Sequence, residues 1–325
     1  EDQEVHVSNE GIYGKRPFLY QVVAPATFPG TDIQIAYNNF AQGGKKPHIT
    51  CSDRMGVFTQ LLTPARFNDS HKKSQREIPE TCGNLLDALF RSRFLDPTTQ
   101  FMRDYEVAGD KELDESGSNV SSILCSLIEG IFIVDGGERK HLKFYQRCYE
   151  GILSFLESLP EQRVTEIGFL RTPKNEVMLQ LTEKFGSVER SFDAAVLSDG
   201  TLRILAVAAA LFSAPEGGLV IIEEIDNGIH PSRADGLMAK IHEIAVERNL
   251  NVVLSSHNPA LMDAVPEPAL PDTVFVYRDP DEGDSRMVRL GDLYQYPELV
   301  SQGPLGSLVT RGVVDRMVKD KRTPE

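Results

Sequence analysis

The chain has 325 residues and a net charge of −14 at pH 7; 41% of its residues are hydrophobic and 25% are charged. This length allows a large buried core in one or two domains, and the acidic balance argues against a surface that coats nucleic acid. No apolar run approaches the roughly 18 residues of a membrane helix, and the polar residues 1–4 are unlike a signal peptide, so we expect a cytoplasmic protein without membrane contact. The four cysteines are scattered without CxxC spacing, which favours reduced thiols over disulfides or a zinc site.

The first two parts of the chain differ in the period of their apolar residues. Residues 1–80 are predicted to form antiparallel strands, because apolar and polar residues alternate weakly in Phe18–Val23 and Ile33–Tyr37. Residues 81–160 are predicted to form a helical lobe. Three stretches there have helical spacing: Asn84–Phe94, Asn119–Ile128 and His141–Leu159.

The third part, residues 161–325, mixes predicted strands and helices. Val164–Leu170 and Val177–Leu181 form a predicted hairpin, and Thr273–Tyr277 with Met287–Leu290 follow further along the chain as two more strand-like runs. A terminal helix is predicted over Ser307–Lys321. Between these elements lies the segment on which the functional interpretation depends, Leu197–Pro259.

Two apolar strands in this segment end in polar residues. Leu219–Ile222 is followed by Glu223 and Glu224, and Val252–Leu254 runs into Ser255-Ser256-His257. A helix between two such strands predicts a βαβ unit in a parallel sheet, where ligands bind beyond the carboxyl ends of the strands. Both acids and the histidine are therefore expected on one rim of one sheet.

Four short patterns in the same segment each have a functional and a simpler interpretation. Leu219–Glu224 has the form of a Walker B strand, although apolar strands ending in acids are common. Leu197–Thr201 resembles the LSGGQ signature, or is an ordinary helix cap. Asp226–Pro231 resembles a D-loop, or is a turn with proline near a helix start. His257 resembles a switch histidine, or is a histidine satisfied at a strand end.

Taken in order, these patterns resemble the ABC-type ATPase head of the RecF and structural-maintenance-of-chromosomes branch. Within that branch it is more closely similar to the bacterial stand-alone "AAA family" ATPases, and Phe94–Pro97 with Gly303–Leu308 look like further family segments. The resemblance implies an α/β fold of the P-loop NTPase class. Its mostly parallel sheet would be flanked by helices, with an antiparallel β region, a helical insertion and residues 161–325 as the ATPase core.

The resemblance also implies roles for individual residues. Glu223 would hold Mg²⁺, Glu224 would be the catalytic base for ATP hydrolysis, and His257 would sense the γ-phosphate. The remaining residues would bind nucleotide or lie at a dimer interface: Ser198, Asp199, Gly200, Asn227 and His230.

The sequence departs from the family pattern at three points. Glu223 replaces the usual aspartate, and Asp199 replaces a glycine of the signature, which puts an acid close to the expected phosphate. No GxxxxGK[ST] phosphate loop is present, and we expect that loop upstream, outside this sequence.

The resemblance therefore implies an ATP- and Mg²⁺-dependent ATPase that forms a homodimer or higher oligomer. It would drive a DNA-repair or phage-defence effector such as a nuclease, and DNA is a further candidate partner, with Lys45-Lys46, Arg76 and Arg93 among the local basic residues. The alternative is a non-catalytic scaffold of the same fold that binds a nuclease or other effector. A third interpretation, a metal-dependent nuclease that uses Glu223 or Glu224 with Asp279-Pro280-Asp281, leaves the signature and the histidine unexplained.

Overall fold

The computed structural model describes residues 5–6, 18–25, 27–28, 30–41, 44–110, 112–130, 138–157 and 163–319. The chain divides into two compact units, Glu1–Arg91 and Ser92–Glu325. The division into three parts at residues 80 and 160 stays a prediction. In the described part of the chain, no helix is both long enough and apolar enough to cross a membrane.

The first unit contains a four-stranded antiparallel sheet, as the alternating pattern predicts. Its strands follow one another in chain order: β1 (Val5–His6), β2 (Phe18–Ala24), β3 (Asp32–Tyr37) and β4 (His48–Ser52). Two short 3₁₀ helices (Val57–Gln60 and Pro64–Arg66) lead to helix α1 (Lys72–Phe90). The core of this unit contains Leu19, Ile35, Tyr37, Leu61 and Ile78.

Helix α1 corrects the helix predicted over Asn84–Phe94. It begins at Lys72, because its polar first half still buries one face through Ser74, Ile78 and Cys82, which lie four residues apart. The predicted carboxyl end is also wrong, since Arg93–Leu95 forms a strand in the second unit.

The second unit contains nine strands and eight α-helices among its described residues. The strands are β5 (Arg93–Leu95), β6 (Glu106–Val107), β7 (Val164–Arg171), β8 (Glu176–Phe185), β9 (Val188–Asp193), β10 (Leu219–Ile222), β11 (Asn251–Leu254), β12 (Val274–Arg278) and β13 (Ser285–Arg289). The helices are α2 (Val120–Glu129), α3 (Glu138–Glu157), α4 (Asp199–Ser213), α5 (Ala234–Glu247), α6 (Pro259–Asp263), α7 (Tyr296–Ser301), α8 (Leu305–Thr310) and α9 (Val313–Lys319). Short 3₁₀ helices cover Thr99–Arg103, Pro231–Arg233, Glu267–Asp272 and Leu290–Asp292.

A three-stranded parallel sheet in the order β11–β10–β5 confirms the predicted βαβ unit. Its backbone ladder continues beyond the strands, because the Glu223 N–H donates to Leu95 O at 2.9 Å and the Ser255 N–H donates to Ile222 O at 3.0 Å. The residues that follow β10 and β11 are therefore held side by side at one edge. Strand β5 was not predicted, since three residues directly after a helix carry no alternation.

Helix α4 is the central helix of the large core. Its sequence of leucine, alanine and valine is apolar on all sides, and every residue from Ile204 to Phe212 is buried. Helices α2 and α3 pack against it, and the same two helices pack against the antiparallel sheet β6–β8–β7, in which β9 pairs with β8. The predicted helices over Asn119–Ile128 and His141–Leu159 are thus confirmed as elements, although Leu159 lies outside the described residues.

Glu183 on β8 is a buried carboxyl group in this antiparallel sheet. Its residue is 7% exposed, and desolvation raises the pKa of the carboxyl group. The folded chain therefore binds this proton more tightly than the unfolded chain does. The resulting stabilisation is present below the unfolded-state pKa of about 4.3, and it is lost as pH rises through the folded-state pKa.

We therefore expect Glu183→Gln to gain stability relative to the wild type as pH increases from about 4 to about 7. Urea unfolding at several pH values measures this difference. Glu189→Gln, at an exposed position of β9, is the matched control. A constant difference between the Glu183 variant and the wild type across the pH range contradicts the expectation.

The carboxyl-terminal segment packs around a small apolar cluster that includes Leu290, Leu299 and Leu308. The single helix predicted over Ser307–Lys321 is wrong. Gly312 adopts φ +66°, a left-handed conformation that ends α8 before α9 begins. Residues 320 and 321 lie outside the described residues.

Candidate functional site

The carboxyl ends of β10 and β11 bring together the acids and the histidine that the sequence predicts on one rim. Glu223 and Glu224 are both exposed directly after β10, and the His257 side chain is 81% exposed after β11. Three exposed polar groups at the end of a parallel sheet form the kind of edge where ligands bind.

Glu224 has an unusual backbone conformation that contacts from two loops hold in place. Its φ is +43°, which is costly for a residue with a Cβ. The Glu224 N–H donates to Ser255 Oγ at 3.0 Å, and the Asn227 N–H donates to Glu224 O at 2.9 Å. Asn227 Nδ2 also donates to the carboxylate oxygen Oε2 at 3.4 Å. The backbone N–H, the backbone carbonyl and the carboxylate of Glu224 are therefore all restrained.

Asp226 lies beneath this edge and faces His257. The aspartate is 8% exposed, and its Oδ2 is 3.7 Å from His257 Nε2. Its second oxygen, Oδ1, is buried without a hydrogen-bond partner among the described residues. The sequence interpretation placed Asp226 in a loop but did not identify it as a site residue, because nothing in the local pattern indicates that it pairs with a histidine 31 residues away.

The amino terminus of α4 has the structure of a capped helix. Ser198 Oγ accepts the Thr201 N–H at 3.1 Å, which is the simpler of the two interpretations of Leu197–Thr201. A capped amino terminus also presents backbone N–H groups and a positive dipole end, the local structure that binds phosphate. The two interpretations are thus compatible in this structure.

Gly200, in the first turn of α4, lies directly against the loop that follows β10. An ideal Cβ on Gly200 would be 2.8 Å from Gly228 O, a backbone atom that cannot rotate away. Asp199, Gly200 and Arg203 all lie within 4 Å of the position of a Cβ on Gly228. The signature-like segment and the D-loop-like segment therefore form one packed unit within a single chain.

We expect Gly200→Ala to displace this loop and to destabilise the protein by about 1–3 kcal/mol, the usual cost of overpacking. Thermal unfolding measures the loss. Gly168→Ala on β7 is the control, because its Cβ would meet no atom within 4 Å. Equal melting temperatures for the two variants contradict the packing argument.

His230 and Asn227 have local partners in the same loop. His230 Nδ1 accepts the Ser232 N–H at 3.3 Å and lies 2.8 Å from Ser232 Oγ, so it caps the short helix Pro231–Arg233 that leads into α5. Asn227 restrains Glu224, as described above. Their predicted place at a dimer interface stays a prediction.

The donor groups at the rim fit Mg²⁺ only in combination with further ligands. Within the described ranges, no group of three or more His, Cys, Asp or Glu side chains is arranged to hold a metal ion. Mg²⁺ commonly takes one or two carboxylates and fills its other positions with phosphate oxygens and water. An exposed carboxylate at Glu223 fits that arrangement, whereas a metal cage made only of protein groups does not.

The acidic turn after β12 has a structural explanation. Asp279 Oδ1 accepts the N–H groups of Asp281 and Glu282 at 2.9 and 3.0 Å, as in an Asx turn. The turn joins β12 to β13, so Asp279 and Asp281, which the nuclease interpretation would use, lie in a hairpin connection.

Similar proteins were found by comparison of families and of solved structures. A family model described as "AAA domain, putative AbiEii toxin, Type IV TA system" matches residues 71–263, more than half of the chain. No curated protein matches the chain.

Several solved structures resemble the chain distantly. An SMC head bound to the C-winged helix domain of ScpA is 12% identical with a TM-score of 0.40, over 84% of this chain and 75% of that one. An SMC head from Pyrococcus furiosus, bound to the C-terminal domain of ScpA, is 12% identical with a TM-score of 0.37, over 89% and 81% of the two chains. A dimeric bacterial ABC transporter cassette is 13% identical with a TM-score of 0.30, over 55% and 58%.

The family match extends over α1, the parallel sheet and the whole rim, from Glu223 to His257. It confirms the resemblance to an ATPase head that the order of motifs indicates. The chain belongs to the AAA-domain family of putative AbiEii toxins of type IV toxin–antitoxin systems.

Proposed function

We propose that this chain is the ATP-hydrolysing head of an enzyme that associates with a second copy around bound nucleotide. The observation that carries the proposal is the restrained placement of Glu224. A carboxylate that follows a parallel strand, in a costly backbone conformation and held by Ser255 and Asn227, is the kind of strained group found at active sites.

Each residue of the rim would have a separate role in ATP hydrolysis. Glu223 would hold Mg²⁺ through its exposed carboxylate, and Glu224 would orient a water molecule and accept its proton. His257, with most of its ring exposed and Asp226 on one side, would donate a hydrogen bond to a phosphate oxygen. ATP with Mg²⁺ would supply the phosphoryl group and neutralise its developing charge.

The amino terminus of α4 would bind the phosphates of a nucleotide held by the second copy. Ser198 and Gly200 present a hydroxyl group and backbone N–H groups at a helix amino terminus. The contact between Gly200 and Gly228 would connect that surface to the loop that holds Glu224, so that association and hydrolysis are coupled. Asn227 and His230 would lie at the same interface.

We further propose that association drives an effector protein in DNA repair or phage defence. The description of the matched family names a toxin of a toxin–antitoxin system, which supports a defence role. Direct DNA binding has less support, because three of the basic side chains that could contact phosphates already have partners. Lys46 donates to Asn38, Asn39 and Ala41, and Arg76 and Arg93 pair with Glu77 and Glu112.

Two measurements on the protein expressed from its full gene test the proposal. Mg²⁺-dependent release of phosphate from ATP measures hydrolysis, and light scattering with and without ATP measures association. Mg²⁺-dependent phosphate release together with ATP-dependent association supports the proposed enzyme. If a partner binds equally well without nucleotide and no hydrolysis occurs, the scaffold alternative is correct.

A further inference from the structure

Asp199 is an acid at a place where the proposed function requires an anion to bind. It is the first residue of α4, and its side chain is 62% exposed. A hydrogen bond from the Thr99 side chain, followed by one from Arg103, holds the pKa of the Asp199 carboxyl group below its usual range. The group is therefore charged at neutral pH and would repel a phosphate at the same helix end.

Arg103 contacts both this carboxylate and the turn that precedes it. Its Nη2 donates to Asp199 Oδ1 at 2.7 Å. Its Nη1 lies within hydrogen-bond distance of three carbonyl oxygens, at 3.3 Å from Ala194, 3.0 Å from Ala195 and 2.8 Å from Leu197. One guanidinium group thus joins the 3₁₀ helix Thr99–Arg103 to the whole approach to α4, and the Arg103 side chain is only 28% exposed.

Only an arginine can make this set of contacts from one side chain. The planar guanidinium donates in fixed directions from two terminal nitrogens, whereas the ammonium group of a lysine is a single point charge. A carboxylate at the first position of a helix also occupies the positive end of the dipole that an incoming phosphate would use. A cation fixed on that carboxylate restores the local balance of charge.

We infer that Arg103 is a positioning residue that neutralises Asp199 and fixes the turn 194–199, so that the amino terminus of α4 can accept phosphate despite its acid. This inference deepens the proposed function and rests on it. It explains how the chain tolerates aspartate where the resembling signature has glycine. Arg203 is a second nearby cation that acts on Asp199, but its effect on the carboxyl group is smaller than that of Arg103.

Removing the two charges singly and together distinguishes neutralisation of Asp199 from a purely structural role of Arg103. In a Glu224→Gln background, which prevents turnover, the variants to compare are Arg103→Ala, Asp199→Asn and the double variant. We expect Arg103→Ala to raise the ATP concentration for half-maximal association by about tenfold, the scale of one charge-assisted hydrogen bond. Asp199→Asn in the same chain should recover most of this loss, because the uncompensated charge is gone.

The matched control is another short ion pair of the same unit, Arg147–Glu247 at 2.8 Å. Arg147→Ala should leave the association midpoint unchanged. If the double variant associates no better than Arg103→Ala, or if Arg147→Ala has the same effect as Arg103→Ala, the inference is overturned.

A titration without nucleotide tests the inference even if the proposed function fails. The side-chain carboxyl resonance of Asp199 should titrate at higher pH in Arg103→Ala than in the wild type, and the amide of Thr201 should exchange faster. Arg103→Gln serves if the alanine variant does not fold, because it removes the charge near Asp199 but keeps a long polar side chain, and the same shift of the Asp199 titration is expected. An unchanged titration in Arg103→Ala overturns the inference, whereas a wild type that never associates with ATP overturns only the proposed function.

Discussion

Replacing Glu224 with glutamine is expected to lower ATP turnover by about 10²–10⁴-fold, the usual contribution of a general base. Glutamine has nearly the same size and can still accept the hydrogen bond from Asn227 Nδ2, so the loop conformation is retained. It cannot accept a proton from water. The variant should therefore bind ATP normally and stay associated, and single-turnover kinetics with size-exclusion chromatography in ATP measure both properties.

Two further variants locate the effect at Glu224 itself. Glu223→Gln should lower the rate and also raise the Mg²⁺ concentration needed for the half-maximal rate, because that side chain would hold the metal. Glu247→Gln, an exposed acid of α5, should change neither. If Glu224→Gln hydrolyses ATP at the wild-type rate, Glu224 is not the base, and the rim of the sheet has another role.

The part of this site that local sequence could predict is the part made by consecutive residues. An apolar strand followed by two acids, and a second one followed by a histidine, define Glu223, Glu224 and His257, and the parallel pairing of β10 and β11 follows from the helix between them. Ser198 could likewise be identified as a helix cap from the residues around it. In each case the physical cause lies within a few residues of its effect.

The contacts that restrain the site were not predictable, because their partners are distant in sequence. Ser255 holds the Glu224 N–H across 31 residues, and Arg103 reaches Asp199 across 96. Neither residue has a local pattern that indicates its partner. The left-handed conformation of Glu224 has the same origin, since local preference alone disfavours it and only the surrounding loops maintain it.

Gly306 provides the second large expected effect, because it connects the carboxyl-terminal segment to the loop that carries His257. Its ideal Cβ would be 2.0 Å from Pro259 O and 2.6 Å from Pro259 C, so α8 touches the backbone of α6. The Gly306 N–H also donates to Asp263 Oδ1 at 2.6 Å. Pro259 is two residues beyond His257, and Asn258 Oδ1 caps α6 by accepting the Ala260 N–H. We therefore expect that a displacement of α8 also displaces the histidine.

We expect Gly306→Ala to destabilise the protein by about 1–3 kcal/mol, because a backbone neighbour cannot rotate away from the added methyl group. It should also lower ATP turnover by displacing His257, even though Gly306 is not itself at the rim. Gly83→Ala is the matched control, since Gly83 is also helical but its Cβ would meet nothing within 4 Å, and helix propensity predicts up to about 1 kcal/mol of added stability there. Thermal unfolding and steady-state hydrolysis of both variants measure these effects. A Gly306→Ala protein with wild-type stability and wild-type turnover would show that α8 does not restrain the His257 loop, whereas lost stability with normal turnover would limit the role of α8 to packing.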